Sequence, residues 1–283
     1  MRIDINGNPL VVEVHGREDG PLMIVHHGAP GLGTRRDSLR GFTPFGDVLR
    51  VVAFDARGSG ESGLMPPFTH EQWVADVDAL REHFGAERFV FAGGSYGGFI
   101  ALEYAIRHPE RLLAVVLRDT AAHHGFDEPA RQAALASGRV DIDRERYDRI
   151  FAGTTRDDAD LEACWREIVP LYDHDPDPAK WEARLAGTVY HHATHNAAFA
   201  ENMPGWDIRE QLRSVRVPML ITVGRHDWIT PPAAAEEIAA LVPGAQLTVF
   251  EDSGHSPHLE EPERFQRLVR DFLAAHGVIP ASD

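Results

Sequence analysis

The stretch that decides the fold is Gly93-Gly94-Ser95-Tyr96-Gly97-Gly98. It follows the short apolar run Phe89–Ala92 and opens Tyr96–Arg107, whose periodic apolar residues predict a helix. A G-x-S-x-G pattern between a strand and a helix is typical of a serine nucleophile held on a strained turn. Side chains at positions 93 and 97 would collide with the neighbouring helix and strand, which explains the glycines. A phosphate-binding loop is the weaker interpretation, because no lysine follows the glycines.

Short β-rich runs alternate with helical patterns along the chain, and several runs are apolar almost throughout, as strands covered on both faces must be. The N-terminal Met1–Gly7 predicts a strand and a turn, and the further predicted strands are Leu10–His15, Leu22–His27, Arg50–Phe54, Phe89–Ala92, Leu112–Leu117, Met219–Val223 and Gln246–Phe250. The predicted helices are Glu71–Phe84, which a capping box of Thr69 and Gln72 opens, Tyr96–Arg107, Pro232–Leu241 and Pro262–Ala275. The alternation predicts an α/β fold with a mostly parallel central sheet flanked by helices.

The alternation stops between residues 123 and 206, where the pattern is helical and no strand is predicted. The candidate helices there are Asp127–Ser137, Asp143–Phe151, Asp158–Leu171 and Pro178–His195. A stretch of roughly 80 residues is too long for a simple connection between two strands. We therefore predict a core of residues 1–122 and 207–283, with a helical cap, residues 123–206, inserted after the sixth strand. The cap would lie over the carboxyl ends of the strands, where open α/β sheets bind ligands.

A serine hydroxyl is a poor nucleophile until a base takes its proton. His255 lies in a loop beyond the last predicted strand, and Asp227 follows the strand before it, so the chain order is serine, acid, histidine. The order predicts a triad of the nucleophile Ser95, the base His255 and Asp227, which orients the base. Asp119 follows an earlier strand and is the alternative acid.

Backbone N–H groups must stabilise the oxyanion that forms when a serine attacks a carbonyl. The glycine-rich His26–Gly31 follows an early strand, so we predict the N–H of Ala29 as one donor and the N–H of Tyr96 as the other. A plain structural turn is the alternative for this loop. Asp55–Ser62 also follows a strand, and there we favour a structural role in which arginine and aspartate tie loops together.

Histidines are frequent in the cap, and His191 and His195 are spaced to share a helix face, where they could hold a metal. No carboxylate or cysteine completes a ligand set, so we predict no metal. No strand-borne G-x-G-x-x-G and no P-loop is found, so we predict no cofactor.

Together, His27-Gly28-Ala29-Pro30-Gly31, Asp55–Ser62, Gly93–Gly98 and Gly254-His255 resemble the proline iminopeptidase-like (peptidase S33) family of α/β hydrolases. The similarity runs from the first strands to the final helix and is weakest in the cap. The resemblance implies an α/β-hydrolase fold and removal of an N-terminal residue, preferably proline, from small peptides without a metal.

The family holds the substrate's ammonium with acidic residues, and here the sequence departs from it. Trp228 stands where relatives carry a glutamate after the triad acid, and Thr194-His195-Asn196-Ala197 lacks the expected glutamate of the cap. Glu201 is a substitute, while Trp228, Phe199 and Trp206 could instead form an apolar pocket. The predicted substrate pocket comprises His27, Gly28, Trp228, Phe199, Glu201 and Trp206.

These observations predict a serine hydrolase that forms an acyl-enzyme, foremost an aminopeptidase or amidase acting on small peptides. A carboxylesterase or lactonase for a small apolar ester is the alternative, and a non-enzymatic ligand-binding module is the remote one. The net charge of −16 argues against nucleic acid as a partner. A single cysteine, Cys164, no signal peptide and no membrane-spanning run predict a cytoplasmic protein. The oligomeric state is left open.

Overall fold

The computed structural model of the protein describes residues 1–281. Its strands are β1 (Arg2–Ile5), β2 (Asn8–Gly16), β3 (Leu22–His26), β4 (Arg50–Phe54), β5 (Phe89–Gly94), β6 (Leu112–Arg118), β7 (Met219–Gly224) and β8 (Gln246–Phe250). They form one sheet in the order β1-β2-β4-β3-β5-β6-β7-β8. The pairs β1–β2 and β2–β4 are antiparallel, and the other neighbours are parallel. The predicted α/β fold with a mostly parallel sheet is confirmed.

The apolar runs of the strands are explained by the two faces of the sheet, both of which are covered. In β3, Ile24 packs into one hydrophobic cluster and Met23 and Val25 pack into the other. Because successive side chains of a strand point to opposite faces, a strand covered on both sides must be apolar throughout.

The helices lie on both faces of the sheet and in the segment that follows β6. They are α1 (Arg35–Phe42), α2 (His70–His83), α3 (Tyr96–Arg107), α4 (Asp127–Ala136), α5 (Arg144–Ala152), α6 (Asp158–Ile168), α7 (Pro178–Gly187), α8 (His192–Asn196), α9 (Arg209–Leu212), α10 (Pro232–Leu241), α11 (Pro257–Glu260) and α12 (Pro262–Ala275). Short 3₁₀ turns occur at Thr43–Asp47, Pro109–Arg111, His124–Phe126 and Val169–Leu171, and a π-helix spans Ala197–Asn202. None of the helices within residues 1–281 is long and apolar enough to cross a bilayer.

Two predictions about helices are corrected. The single helix predicted over Pro178–His195 is broken, because α7 ends at Gly187 and α8 begins only at His192. Glycine disfavours the helix interior, and the N–H of His191 donates to the carbonyl of Gly31 instead of continuing a helix. The capping box is only half formed, since Thr69 accepts the N–H of Gln72 but the Gln72 side chain turns to Asp76.

Helix α1 was not predicted, although Thr34 and Asp37 form a capping box at its start, the threonine–x–x–acid spacing typical of a helix N-terminus.

The segment between β6 and α9 is helical, as expected, and its two ends are joined. His123 pairs with Asp207 in an isolated antiparallel bridge, and the N–H of Ile208 donates to the carbonyl of Ala122 at 3.0 Å. The chain therefore leaves and re-enters the sheet region at one place. This geometry suits an inserted cap, and its division from the core at residues 123 and 206 stays our interpretation.

The loop after β4 is held by buried ion pairs, which supports the structural role predicted for Asp55–Ser62. Arg57 donates two hydrogen bonds to the Asp76 carboxylate of α2, one of 2.7 Å from Nε and one of 2.9 Å from Nη2. Asp55 accepts the backbone N–H of Arg35 at 2.7 Å and pairs with its guanidinium. The loop is thereby tied to the start of α1 and to the middle of α2.

We expect Arg57→Met to lower the free energy of unfolding by about 3 kcal/mol, because it leaves the buried Asp76 carboxylate without its partner. Urea unfolding followed by circular dichroism measures the change. Arg17→Met is the matched control, because it breaks an ion pair with Asp19 whose side chains are 55% and 75% exposed. An equal loss of stability in both variants would contradict the role assigned to Arg57.

Candidate active site

The carboxyl ends of the parallel strands meet at one edge of the sheet. Gly94 at the end of β5 lies opposite Arg118 at the end of β6, and Arg118 lies opposite Thr222 near the end of β7. The chain passes from β3 outward to β4 and then back to β5 on the other side of β3. The loops that leave β3 and β5 therefore diverge, and such a switch point is where open α/β sheets bind ligands.

Ser95 occupies the turn between β5 and α3 with a strained backbone, φ 53° and ψ −125°. Such a conformation is costly for a residue with a side chain and is typical of functional turns. A Cβ added at Gly93 would collide with the carbonyl oxygen of Gly97, and one added at Gly97 would collide with the carbonyl oxygens of His26 and His27. The explanation predicted for both glycines is confirmed: helix and strand approach backbone to backbone here.

His255 is held by Asp227. Its Nδ1 lies 2.8 Å from Oδ2 of Asp227, and both side chains are buried. The carboxylate also accepts the N–H groups of Ile229 and Thr230, at 3.0 and 3.2 Å, and the Thr230 hydroxyl at 2.8 Å. These donors hold the carboxylate in place, and a carboxylate oxygen that faces Nδ1 fixes the His255 tautomer with its proton on that nitrogen. The backbone N–H of His255 donates to the carbonyl of Tyr172 at 2.6 Å, so the cap also positions the base.

Ser95 and His255 line the same cavity, which has a volume of about 720 Å³. Nε2 of His255 is buried and has no hydrogen-bond partner within residues 1–281. This nitrogen is the one that a base of this type uses to take the proton of a serine. A volume of this size accommodates a small organic molecule or a short peptide.

Asp119, the alternative acid, lies beside the pair without taking the place of Asp227. Oxygen and nitrogen atoms of Asp119, Asp227 and His255 lie within 4.8 Å of one another. Oδ1 of Asp119 accepts the N–H of Gly224 at 3.0 Å, whereas Oδ2 has no partner in the described chain. Burial, and then the charge of Asp227, raise the pKa of Asp119 well above its ordinary value. The geometry therefore favours Asp227, whose Oδ2 contacts Nδ1 of His255, as the residue that orients the base.

The loop after β3 lies directly against the serine. A Cβ added at Gly28 would lie 3.3 Å from Cβ of Ser95. The backbone N–H groups of Ala29 and Tyr96 donate to no other group between residues 1 and 281. The Tyr96 N–H is also the first of α3, where helix N–H groups are unpaired and the dipole favours negative charge. Two unused donors beside Ser95 suit an oxyanion.

Of the predicted pocket residues, Gly28 lines the cavity and the others do not. His27 is a structural residue, because its Nε2 accepts the N–H of Ala56 and its Nδ1 lies 2.7 Å from the carbonyl of Gly28. Trp206 donates its indole N–H to Glu103 at 3.0 Å. Glu201 is exposed to solvent. Glu201 lies in the π-helix Ala197–Asn202 and does not line the cavity, and periodicity along the sequence reveals neither.

Trp228 and Phe199 belong to aromatic contacts of the cap instead of the cavity wall. Trp228 meets Tyr172 edge-on with ring centroids 5.6 Å apart, and it meets Phe151 in the same way at 6.0 Å. Phe199 packs against Tyr96, with 5.8 Å between ring centroids. These contacts join the cap to the loops of the triad.

His191 and His195 do not converge on a shared site. Nε2 of His191 bonds to the carbonyl of Gly60 at 2.8 Å, and Nε2 of His195 bonds to that of Ile150 at 2.9 Å. Burial lowers the pKa of His195 to about 4, so it stays neutral. Both rings therefore have a structural role, because each bonds to a backbone carbonyl of another segment. Among residues 1–281 the one cluster with metal-ligand spacing is that of Asp119, Asp227 and His255. Nδ1 of His255 is already bonded to Asp227 there.

Three residues of the site were not predicted from the sequence. Thr230 stands three residues after Asp227, a spacing that allows a hydroxyl to bond back to the carboxylate and could have revealed it. Arg118 ends the otherwise apolar strand β6, and a charged residue at the end of such a strand could have revealed it as a site residue. Tyr172 supplies a backbone carbonyl, which no residue type reveals.

We expect Gly97→Ala to lower the free energy of unfolding by about 1–3 kcal/mol, because the added Cβ meets backbone that has no room to give. The loss of activity on any substrate should exceed what the loss of folded protein explains, because the Ser95 turn must shift. Thermal unfolding and titration of folded sites measure the two effects. Gly187→Ala is the control, since its added Cβ meets no atom within 4 Å.

Comparison with known proteins agrees with this geometry. The family model of the alpha/beta hydrolase fold matches residues 21–262. Proline iminopeptidase PfmaB of Pestalotiopsis fici is 32% identical over 281 residues, which cover 96% of this chain and 98% of the relative. A thermophilic esterase from Thermogutta terrifontis superposes with a TM-score of 0.75 at 26% identity, covering 98% of each chain.

An enol-lactonase from Burkholderia xenovorans LB400 shares the fold with a TM-score of 0.76 at 24% identity, covering 97% of this chain and all of the lactonase chain. The predicted resemblance is confirmed, and the prediction of a hydrolase with it. The chain belongs to the α/β-hydrolase family, in its proline iminopeptidase-like branch.

Proposed function

We propose that the protein is a serine hydrolase that works through an acyl-enzyme on Ser95. The Ser95 hydroxyl attacks a substrate carbonyl while Nε2 of His255 takes its proton. Asp227 stays ionised and stabilises the imidazolium, and the N–H groups of Ala29 and Tyr96 stabilise the oxyanion. His255 then gives the proton to the leaving group. A water molecule, activated by the same histidine, releases the acyl group and restores Ser95.

We propose an aminopeptidase of the proline iminopeptidase type, acting on small peptides. The observation that carries this proposal is the 32% identity to a proline iminopeptidase over almost the whole of both chains. A cavity of about 720 Å³ that the cap partly covers suits a short peptide better than a protein loop.

An aminopeptidase must also hold the ammonium of its substrate, and we propose Asp173 for this role in place of Glu201. Asp173 lines the cavity and follows Tyr172, whose carbonyl accepts the His255 N–H. Its carboxylate accepts no hydrogen bond in the described chain and forms only a long ion pair, 3.7 Å, with Arg184. A half-buried carboxylate that is not fully engaged is what an ammonium group requires.

The second candidate is a carboxylesterase or lactonase for a small ester. It is favoured by Trp228, which stands directly after the triad acid and packs among aromatic rings, so that no carboxylate approaches the site from this position. The esterase from Thermogutta terrifontis, similar in length and fold, supports it.

Initial rates on proline p-nitroanilide, its N-acetylated form and p-nitrophenyl butyrate separate the two candidates. We expect the free-amine anilide to be cut at least about a hundredfold faster than the acetylated one, because only the free amine gains a charge-assisted bond. Ser95→Ala is the blank for all three substrates. Hydrolysis of the ester alone, with both anilides ignored, would support the esterase. Undiminished turnover by Ser95→Ala would remove the acyl-enzyme mechanism.

The acid of the triad is tested by two variants. We expect Asp227→Asn to lower kcat by about 10⁴-fold, because the amide favours the wrong histidine tautomer. Asp119→Asn should lower kcat by less than about tenfold, because Asp119 forms no hydrogen bond with His255 within residues 1–281 and an amide of the same shape can still accept the N–H of Gly224. The two are compared on the fastest substrate of the panel, after circular dichroism has checked the fold. The reverse order of effects would make Asp119 the triad acid.

A further inference from the structure

Arg118 lies beside the nucleophile and faces the same cavity. It is the last residue of β6, it is only 8% exposed, and it lines the cavity together with Ser95 and His255. A Cβ added at Gly94 would collide with the Arg118 guanidinium. The guanidinium therefore packs against the backbone that leads into the Ser95 turn.

The Arg118 guanidinium has few partners within the described residues. Within residues 1–281 its nitrogens donate no hydrogen bond, and the buried Nε has no partner. Its ion pairing is limited to a long contact of 3.9 Å from Nη1 to Oδ2 of Asp119. By contrast, Arg57, buried to a similar degree, forms two bonds to Asp76.

Asp119 forms no hydrogen bond with Arg118. Its Oδ2 is 3.9 Å from Nη1 of Arg118, and burial and the charge of Asp227 raise the pKa of Asp119. Burial lowers the pKa of Arg118, yet a guanidinium remains charged at any pH at which the protein works. A buried guanidinium whose N–H groups lack hydrogen-bond partners is costly, and a ligand that accepts hydrogen bonds from it offsets this cost.

The other carboxylates of the cavity do not pair with Arg118. Asp37 accepts the N–H of Thr34 at 3.0 Å. Glu260 accepts two backbone N–H groups, at 2.7 and 2.9 Å. Arg184, another cation of the cavity, already has Asp173 at 3.7 Å and the Ser256 hydroxyl at 3.4 Å. Among the cavity's arginines that the fold buries, Arg118 is thus the one whose donors are free.

The position of Arg118 relative to Ser95 indicates which part of a substrate it meets. The guanidinium packs against the backbone at Gly94, directly before Ser95, and both Arg118 and Ser95 line the cavity. A charged group of the substrate that lies near the scissile bond is therefore within the reach of Arg118. A guanidinium binds a carboxylate through two parallel hydrogen bonds.

We propose that Arg118 binds a carboxylate on the leaving group of the substrate, so that the preferred substrates are free dipeptides. This inference rests on the proposed aminopeptidase function. In a dipeptide the carboxylate of the leaving amino acid is close to the scissile bond, and Arg118 is close to Ser95. The core then holds the carboxylate at Arg118, while the cap holds the ammonium at Asp173. Longer peptides would move the carboxylate away from Arg118.

The test compares kcat/KM for Pro-Ala with kcat/KM for Pro-Ala amide, which lacks only the negative charge. We expect the wild type to favour the free acid, and we expect Arg118→Gln to reduce this ratio by about 10- to 100-fold. Arg118→Lys keeps the charge but loses the planar pair of donors, so it should give an intermediate ratio. It is the test variant if Arg118→Gln does not fold. Lys180→Gln is the control, because Lys180 is an exposed cation of the same cavity and should keep the wild-type ratio. Equal ratios in the wild type and both Arg118 variants would overturn the proposal.

A binding measurement separates failure of this inference from failure of the aminopeptidase proposal. Calorimetric titration of the wild type with butyrate and with butyramide requires no turnover. We expect butyrate to bind at least about tenfold more tightly and this preference to vanish in Arg118→Gln. If no peptide is cut but the preference is found, the carboxylate site stands and the substrate is an anionic ester. If butyrate binds no better than butyramide, Arg118 is not a carboxylate site.

Discussion

Helix α3 packs backbone against backbone on the ends of β3 and β5, and the site depends on this contact. Gly97 meets the carbonyl oxygens of His26 and His27, and Gly93 meets the carbonyl of Gly97. Any side chain at these positions would push the helix away from the sheet. The close approach forces the left-handed backbone of Ser95, φ 53°, and presents its hydroxyl above the strand ends. The same approach brings the loop after β3, and the Ala29 N–H, against the serine.

The strand ladder explains how residues that lie far apart in sequence meet at this turn. The parallel strands end in register, so that the loops with Ser95, Asp119, Asp227 and His255 leave the same edge. The cap then contributes one backbone contact and one side-chain contact to the loops of the core. The carbonyl of Tyr172 holds the N–H of His255, and His191 bonds to the carbonyl of Gly60. Cap and core therefore share the positioning of the base, and a movement of the cap would alter the geometry of His255.

Buried charges at the site differ in how they are satisfied, and this difference separates structural from functional roles. Arg57 and Asp76 satisfy each other, and Asp227 is satisfied by Thr230 and His255. Burial and the charge of Asp227 raise the pKa of Asp119. Arg118 keeps its charge, and within residues 1–281 its guanidinium donates no hydrogen bond and has only the 3.9 Å ion pair with Asp119. The incomplete pairing of Arg118 thus indicates a ligand instead of a structural bond.

The sequence by itself determined the strands, most helices, the strained serine turn and the order of the triad. These features depend on local patterns: apolar runs for buried strands, glycines at a close backbone approach, and polar residues directly after strands. Tertiary structure alone decided which residues form the cavity. Trp206, Glu201 and His27 turn away from it, whereas Arg118 and Asp173 face it. Only the folded chain shows that Asp119 lies beside Asp227 and that its pKa is raised, since a pKa depends on burial and on charges that are distant in sequence. A pattern along the chain shows which face of a helix or strand is buried. It does not show which residues of the helical cap lie opposite that face.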